Sequence, residues 1–471
     1  MDRPKSPEVN ADRPNIVFLF IDDMGWKDVG FMGSEYYETP HIDRLASQSM
    51  VFTDAYANAP NCAPSRACLM TGQYTPRHGI YTVGNSDRGD TRYRKLIPIP
   101  NRTHLPQDAV TIAAELSKVG YVSASIGKWH LGDPPDGGPC EMGFDVNVGG
   151  SSAGMPHHGY FSPYELSQLD EGPEGEYLTD RLTDHAVEFI HDNKDRPFFL
   201  YLTHYAVHTP IEGKEEIIRK YEGKPGSNGQ NNPEYAAMVE SVDQSVGRVL
   251  DALDELGLAE DTVVIFFSDN GGVGGYEEWG IKGKEITSQQ PLHGGKGMLY
   301  EGGIREPTAI RWPGVVEPGS ACGTPITGVD FYPTMLEIAG AHPTSGKVLD
   351  GESIVPLLTG SGELERDAVF WHFPAYLQGR ENTWRTTPAG AMRQGDYKLL
   401  EFFEDGRLEL YNLKDDIGER HDLSDEMPQR TRQMHERLVE WRRSVRASVP
   451  TEANPEYDPE DTKETAGVDD S

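Results

Sequence analysis

Residues 16–23 read IVFLFIDD, six consecutive apolar side chains that end on two adjacent acids. An apolar run of that length, with no polar alternation, describes a strand buried on both faces. Three further stretches repeat the design. VSASI (122–126) runs into GKWHLG (127–132), FFLYLT (198–203) into HYAVHTP (204–210), and TVVIFF (262–267) into SDNGG (268–272). In open α/β sheets, ligands bind beyond the carboxyl ends of the strands, so four polar clusters at four such ends would meet at one site. Asp, Asn and Gly also follow strands simply because they form turns and cap helices. For any single cluster that reading is as good as the functional one. It accounts poorly for all four together, which add Lys, His and paired carboxylates.

Outward from these strands, apolar and helical stretches alternate from Asn15 onward, the pattern of an α/β fold. TIAAELSKVG (111–120) reads as a helix that starts near Thr111 and stops at Gly120. Residues 234–257 read as a second helix and VDFYPTMLEIAG (329–340) as a third, again closed by glycine. After LLTG (357–360) the texture changes. GDYKLLEFF (395–403), a turn at Asp405-Gly406 and RLELYNL (407–413) read as a β-hairpin. Met434, Leu438, Trp441 and Val445 then fall on one face of a helix. The expected organisation is a polar leader over 1–13, an α/β domain over 14–360 and a smaller α+β subdomain over 361–450. An acidic, proline-bearing and disordered tail is expected over 451–471. No internal repeat interrupts this order.

With 471 residues the chain is too long for one small core. Hydrophobic residues at 37% and charged residues at 25% place it among globular proteins. No apolar run approaches the ~20 residues of a membrane span, and the N-terminus lacks the apolar stretch of a signal peptide. The net charge is −33, from 76 acidic against 43 basic residues. That argues against nucleic acid as a partner and against a long basic groove. An anionic substrate would have to be met by positive charge gathered in a small pocket. Four irregularly spaced cysteines, Cys62, Cys68, Cys140 and Cys322, make neither a disulfide framework nor a zinc site.

Asp22, Asp23, Asp269 and Asn270 offer only hard oxygen donors, which suit Ca²⁺ or Mg²⁺ better than zinc. Adjacent carboxylates are costly to bury without a cation between them, although Asp22 or Asp23 alone could be a helix N-cap. Cys62-Ala63-Pro64-Ser65-Arg66, within NCAPSRACLMTG (61–72), resembles the C-x-P-S-R signature of formylglycine-dependent sulfatases. The bland alternative for that segment is a buried free cysteine beside a Pro-Ser turn. GKWHLG, VHTP (207–210), SDNGG and GGKGMLYEGGIREP (294–307) resemble further blocks of the same family, in family order. LKDDIGERHDL (413–423) is similar to its C-terminal part, so the resemblance runs from about residue 14 to 423. Two departures stand out: Glu306, where an apolar residue is common, and His293, where arginine is common.

The resemblance implies an alkaline-phosphatase-like fold, a large mixed-sheet sandwich domain with a smaller C-terminal α+β subdomain. It implies hydrolysis of sulfate esters with one Ca²⁺ and with Cys62 converted to formylglycine (3-oxoalanine). A formylglycine-generating or anaerobic maturation enzyme would be the partner for that conversion, and a periplasmic or secreted location is the family's expectation. Asp22, Asp23, matured Cys62, Asp269 and Asn270 would hold the metal. Arg66 would hold the nucleophile, Lys128 and Lys296 would bind sulfate oxygens, His208 would protonate the leaving oxygen, and His130 would act as base. Singly, these lysines could be surface residues, the histidines satisfied core residues, and Arg66 a plain ion-pair partner. The expected reaction is exo-acting desulfation of a sulfated carbohydrate. A formylglycine-dependent phosphonate monoester or phosphodiester hydrolase stays open, as does a catalytically idle glycan-binding relative. His204, His293, His372 and Arg393 are expected to help choose the sugar, and Trp371, Phe373 and Tyr376 either stack on it or belong to the core.

Overall fold

A computed structural model describes residues 13–281, 283, 285–379 and 383–458. The main sheet has eight strands: β1 (Asn15–Ile21), β2 (Met50–Phe52), β3 (Val122–Gly127), β4 (Val146–Val148), β5 (Phe198–Thr203), β6 (Thr262–Ser268), β7 (Thr308–Arg311) and β8 (Ser320–Cys322). Their order is β4-β3-β5-β1-β6-β7-β2-β8, and β7 alone runs against its neighbours. The four long strands read from the sequence lie side by side and parallel at the centre. Their polar clusters therefore leave the sheet on one edge.

The alternation of side chains across a strand divides the core in two. Val17, Leu19 and Ile21 pack on one face, under α1 (Pro40–Ser47), α3 (Leu178–Asp192) and α4 (Pro233–Glu255). The other face carries Ile16, Phe18 and Phe20 under α2 (Cys62–Thr71) and α5 (Phe331–Ile338). Burial on both faces is the reason β1 has no polar alternation. Within the 111–120 stretch a helix spans Ile112–Ser117, and the Thr111 hydroxyl caps it by accepting from the Ala114 amide.

The C-terminal sheet is antiparallel: β9 (Ala368–Phe373), β10 (Ala389–Gln394), β11 (Tyr397–Phe402) and β12 (Leu408–Asn412), in that order. The hairpin read from the sequence is β11–β12, turning at Gly406 with φ 71. Helix α6 (Pro428–Ser444) lays Met434 and Leu438 on this sheet. A buried ionic cluster joins the two sheets. Lys398 on β11 meets Glu301 at 2.9 Å and Glu419 at 2.8 Å, and Arg305 meets Glu301 at 2.9 Å. Beside it, Arg393 on β10 pairs with Asp54 at 2.6 Å.

The tail expectation needs correction over residues 451–458. The Asn454 side chain donates to the carbonyls of Thr91 and Arg94, both at 2.7 Å, and the Ile97 amide donates to the Glu452 carbonyl at 2.9 Å. Polar composition signals a segment that cannot bury apolar area, but these contacts are hydrogen bonds to backbone carbonyls and need none. Residues 1–12 of the leader and 459–471 of the tail lie outside the described residues.

Candidate functional site

Six elements bring their ends together. Asp22 and Asp23 follow β1, Lys128 and His130 follow β3, His208 lies in the turn after β5, and Asp269 and Asn270 follow β6. Cys62 is the first residue of α2, a helix whose ten residues are all buried. Its N-terminal position favours negative charge at the sulfur. Arg66 lies one turn along, on the same helical face. Lys296 comes from the glycine-rich turn after Pro291, where its backbone amide bonds to the Gly272 carbonyl at 2.9 Å. Asp23 and His130 both adopt left-handed backbone conformations, φ 60 and 63.

The charges interlock. Lys128 Nζ donates to Asp22 Oδ2 at 2.6 Å, and Lys296 Nζ to Asp23 Oδ2 at 2.7 Å. Arg66 bonds Asp269 Oδ2 through Nε at 2.9 Å, donates to the Lys128 carbonyl at 2.9 Å, and stacks over Phe20. Lys296 Nζ lies 3.4 Å from Cys62 Sγ. Burial raises the Cys62 thiol, but the ammonium groups of Lys128 and Lys296 outweigh it and hold the thiol at about 6. Burial and the like charge of Asp22 push the Asp269 carboxyl above its ordinary range. Against the same burial, Lys296 pulls Asp23 below it.

His208 Nδ1 lies 2.7 Å from the Thr209 carbonyl, which can only accept, so Nδ1 carries a hydrogen and Nε2 is the titrating nitrogen. Nε2 lies 3.6 Å from Asp23 Oδ2. Burial and Lys296 push His208 down, Asp23 and Asp22 push it up, and the carboxylates prevail. His130 is the opposite case: burial, reinforced by Lys128 and Arg66, drives it far below its ordinary value, so the ring is neutral.

The donor set fits a hard divalent cation. Asp22 Oδ1 and Asn270 Oδ1 are buried without a hydrogen-bond partner, which is costly unless something binds them. The Asn270 amide nitrogen donates to Asp23 Oδ1 at 2.8 Å, which leaves Asn270 Oδ1 as the free acceptor. Ligand atoms of Asp22, Cys62 and Asp269 lie within 4.8 Å of one another. An all-oxygen carboxylate and amide set suits Ca²⁺ or Mg²⁺.

Above this cluster opens a cavity of about 400 Å³, bordered by Asp23, Cys62, His130, His208 and Lys296. The four residues expected to choose the sugar do not border it. His204 is buried and bonded to Ser245 at 2.8 Å, beneath α4. His293 stacks between Trp279 and Tyr300 and pairs with Glu278 at 3.1 Å. The His372 ring meets the Ser448 carbonyl at 2.9 Å, and Arg393 is committed to Asp54. Trp371, Phe373 and Tyr376 are core residues. Arg88, His157 and Arg385 line the cavity instead. Arg88 and Arg385 carried no signal in the sequence, since neither follows a strand of the main sheet nor sits in a motif.

The sulfatase family profile matches residues 14–341, and a profile described as N-sulphoglucosamine sulphohydrolase, C-terminal, matches 293–444. A sulfatase of Formosa agariphila is 33% identical, over 93% of this chain and 90% of its own length. Mouse N-acetylgalactosamine-6-sulfatase is 31% identical, over 87% of this chain and 82% of its own. A crystal structure of Ps i-CgsB in complex with k-i-k-neocarrahexaose superposes with a TM-score of 0.74 at 30% identity, covering 91% of this chain and 92% of that one. With a family profile across more than half its length and relatives this similar over nearly all of it, the chain belongs to the sulfatase family and is a sulfate-ester hydrolase.

Proposed function

We propose that this enzyme removes sulfate from a sulfated carbohydrate, in exo fashion, using formylglycine made from Cys62 and one Ca²⁺ held by Asp22, Asp23, Asp269, Asn270 and the matured residue. The observation that carries the reading is the meeting of Cys62, Lys296 and two differently protonated histidines at the floor of one cavity, with Lys128 behind them. The names of two relatives, mouse N-acetylgalactosamine-6-sulfatase and the Ps i-CgsB complex with k-i-k-neocarrahexaose, support a saccharide, and a cavity of about 400 Å³ supports action at a chain end. When present, the aldehyde hydrate at position 62 supplies the attacking oxygen, and Ca²⁺ lowers its pKa.

The chain's own residues do the rest. Arg66, fixed by Asp269 and Phe20, orients residue 62 from one helical turn away. Lys296 at the cavity floor and Lys128 behind Asp22 offset the negative charge that develops on the sulfate oxygens. His208 holds a proton at Nε2 and delivers it to the departing alcohol oxygen as the S–O bond breaks. His130, neutral and with Nδ1 unpartnered, accepts the proton released in the second half of the turnover.

The test is sulfate release from defined sulfated oligosaccharides after co-expression with the maturation enzyme, with Cys62→Ala as control. We expect release from one linkage and none from the control. Conversion of Cys62 confirmed by peptide mass, with aryl phosphonate turned over and no saccharide cut, would replace this reading by phosphonate hydrolysis. A thiol left unconverted in the native host would point to a glycan-binding protein.

A further inference from the structure

We propose that Arg88 and Arg385 form a second anion-binding subsite, one that reads an additional acidic group on the saccharide whose sulfate is cut. The inference rests on the carbohydrate reading above and extends it to a class: polyanionic saccharides. Both arginines border the catalytic cavity, from different parts of the chain. Among the described residues neither has a carboxylate partner. Arg88 donates to the Val83 carbonyl. The guanidinium carbon of Arg385 lies over the Tyr276 ring, 4.6 Å from its centre, and its Nε is buried without an acceptor. The one acid among the described cavity residues is Asp23, already engaged by Lys296 and Asn270.

Unmatched guanidinium groups are out of character for a chain of net charge −33, which has acids to spare. Their proximity also costs energy. Burial lowers the Arg88 pKa, Cys62 raises it and Arg385 lowers it further, so these groups lie within electrostatic reach of one another. An anion between the two arginines would relieve that repulsion, and planar guanidinium groups suit the oxygens of sulfate or carboxylate.

The subsite is built in advance. Gly89, at φ +75, lets the Trp384 ring pack against it, where a Cβ would come within 2.7 Å. Trp384 Nε1 donates to the Tyr93 carbonyl at 3.3 Å. The segments that carry Arg88 and Arg385 are thereby fastened to each other. Tyr276, beneath Arg385, donates to the Lys296 carbonyl at 2.8 Å, which ties the pair to the floor where the reaction occurs.

Matched oligosaccharides that carry the scissile sulfate alone, with a second sulfate, or with a uronate carboxylate test the proposal. Two readouts are needed: kcat/KM of the matured enzyme, and calorimetric Kd of the Cys62→Ala protein. We expect tighter binding and faster cleavage with the second anion, and the sulfate and uronate arms identify its source. Arg385→Gln and Arg88→Gln should each lower the preference for doubly anionic ligands by roughly thirtyfold, the order for removing one partner of a desolvated charge pair. Arg385→Lys, which keeps the charge, should restore part of it and guards against misfolding. Equal affinity for singly and doubly anionic ligands in the wild type overturns the proposal, even where sulfate release is intact. No saccharide cleaved or bound at all would instead overturn the carbohydrate reading beneath it.

Discussion

Two of the buried ionic clusters among the described residues spend their charges differently. At the joint between the sheets, Glu301, Glu419 and Asp54 each meet a cation of the same cluster, and Tyr56 adds a hydrogen bond to Glu301 at 2.8 Å. At the strand ends, three acids and three bases also pair, yet Asp22 Oδ1 and Asn270 Oδ1 are left over. The first cluster is closed in that Asp54, Glu301 and Glu419 each have a cation at 2.6, 2.9 and 2.8 Å, and it holds the fold. The second has oxygen acceptors to spare, lacks a hydrogen-bonding cation to meet them, and borders open space. A buried charge set that is completed from outside is one that works on something.

That contrast can be broken at either end. The largest effect is expected at the open cluster: His208→Gln should lower kcat by about 10³-fold, within the usual reach of a general acid. The melting temperature should stay within a few degrees, and a large fall would mean that His208 is structural. At the closed cluster the pattern should invert. Lys398→Met strands Glu301 and Glu419 without their shared cation, and the cost should be about 3 kcal/mol in denaturant unfolding. Protein that remains folded should keep most of its kcat, and a loss there as large as in His208→Gln would erase the distinction.

The smallest effect at any one pH step concerns histidines that belong to neither cluster. Burial holds His78 and His204 at about 3 and His372 at about 4, below the ordinary 6.5. The unfolded chain binds protons that the folded chain refuses, so stability falls as pH drops from 6.5 toward 4. Each histidine contributes up to about 1.4 kcal/mol per pH unit in that window. His204→Gln should remove one histidine's share of the slope between pH 6.5 and 4 and leave the slope near pH 8 unchanged. A slope unchanged by the substitution would mean that His204 is not held neutral.

The floor of the site was legible because it obeys the sheet. IVFLFI, short and rich in β-branched and aromatic residues, reads as a strand buried on both faces, so the position of Asp22 and Asp23 follows from it, and the same holds for Lys128 and Asp269. Residue type alone misled where orientation decides. His204 directly follows β5, four residues before His208, but its ring turns under α4 while that of His208 turns to the cavity. His372 and Arg393 lie on strands of the second sheet and bind backbone or Asp54. The cavity wall was illegible for another reason. Arg88 sits in SDRGDTR (86–92), a stretch with no hydrophobic period, and only its contact with the strand of Trp384 gives it a place.

The last described residues bear on how such a chain can be shortened. By composition a designer would trim it near residue 450, discarding what looks like ballast. That cut removes Glu452, Asn454 and Asp458, whose backbone and side chains grip residues 91–97. The same loop begins at Arg88. Shortening would leave every motif of the family intact and would slacken one side of the cavity, so a trimmed enzyme that had become less choosy would show no altered residue to explain it.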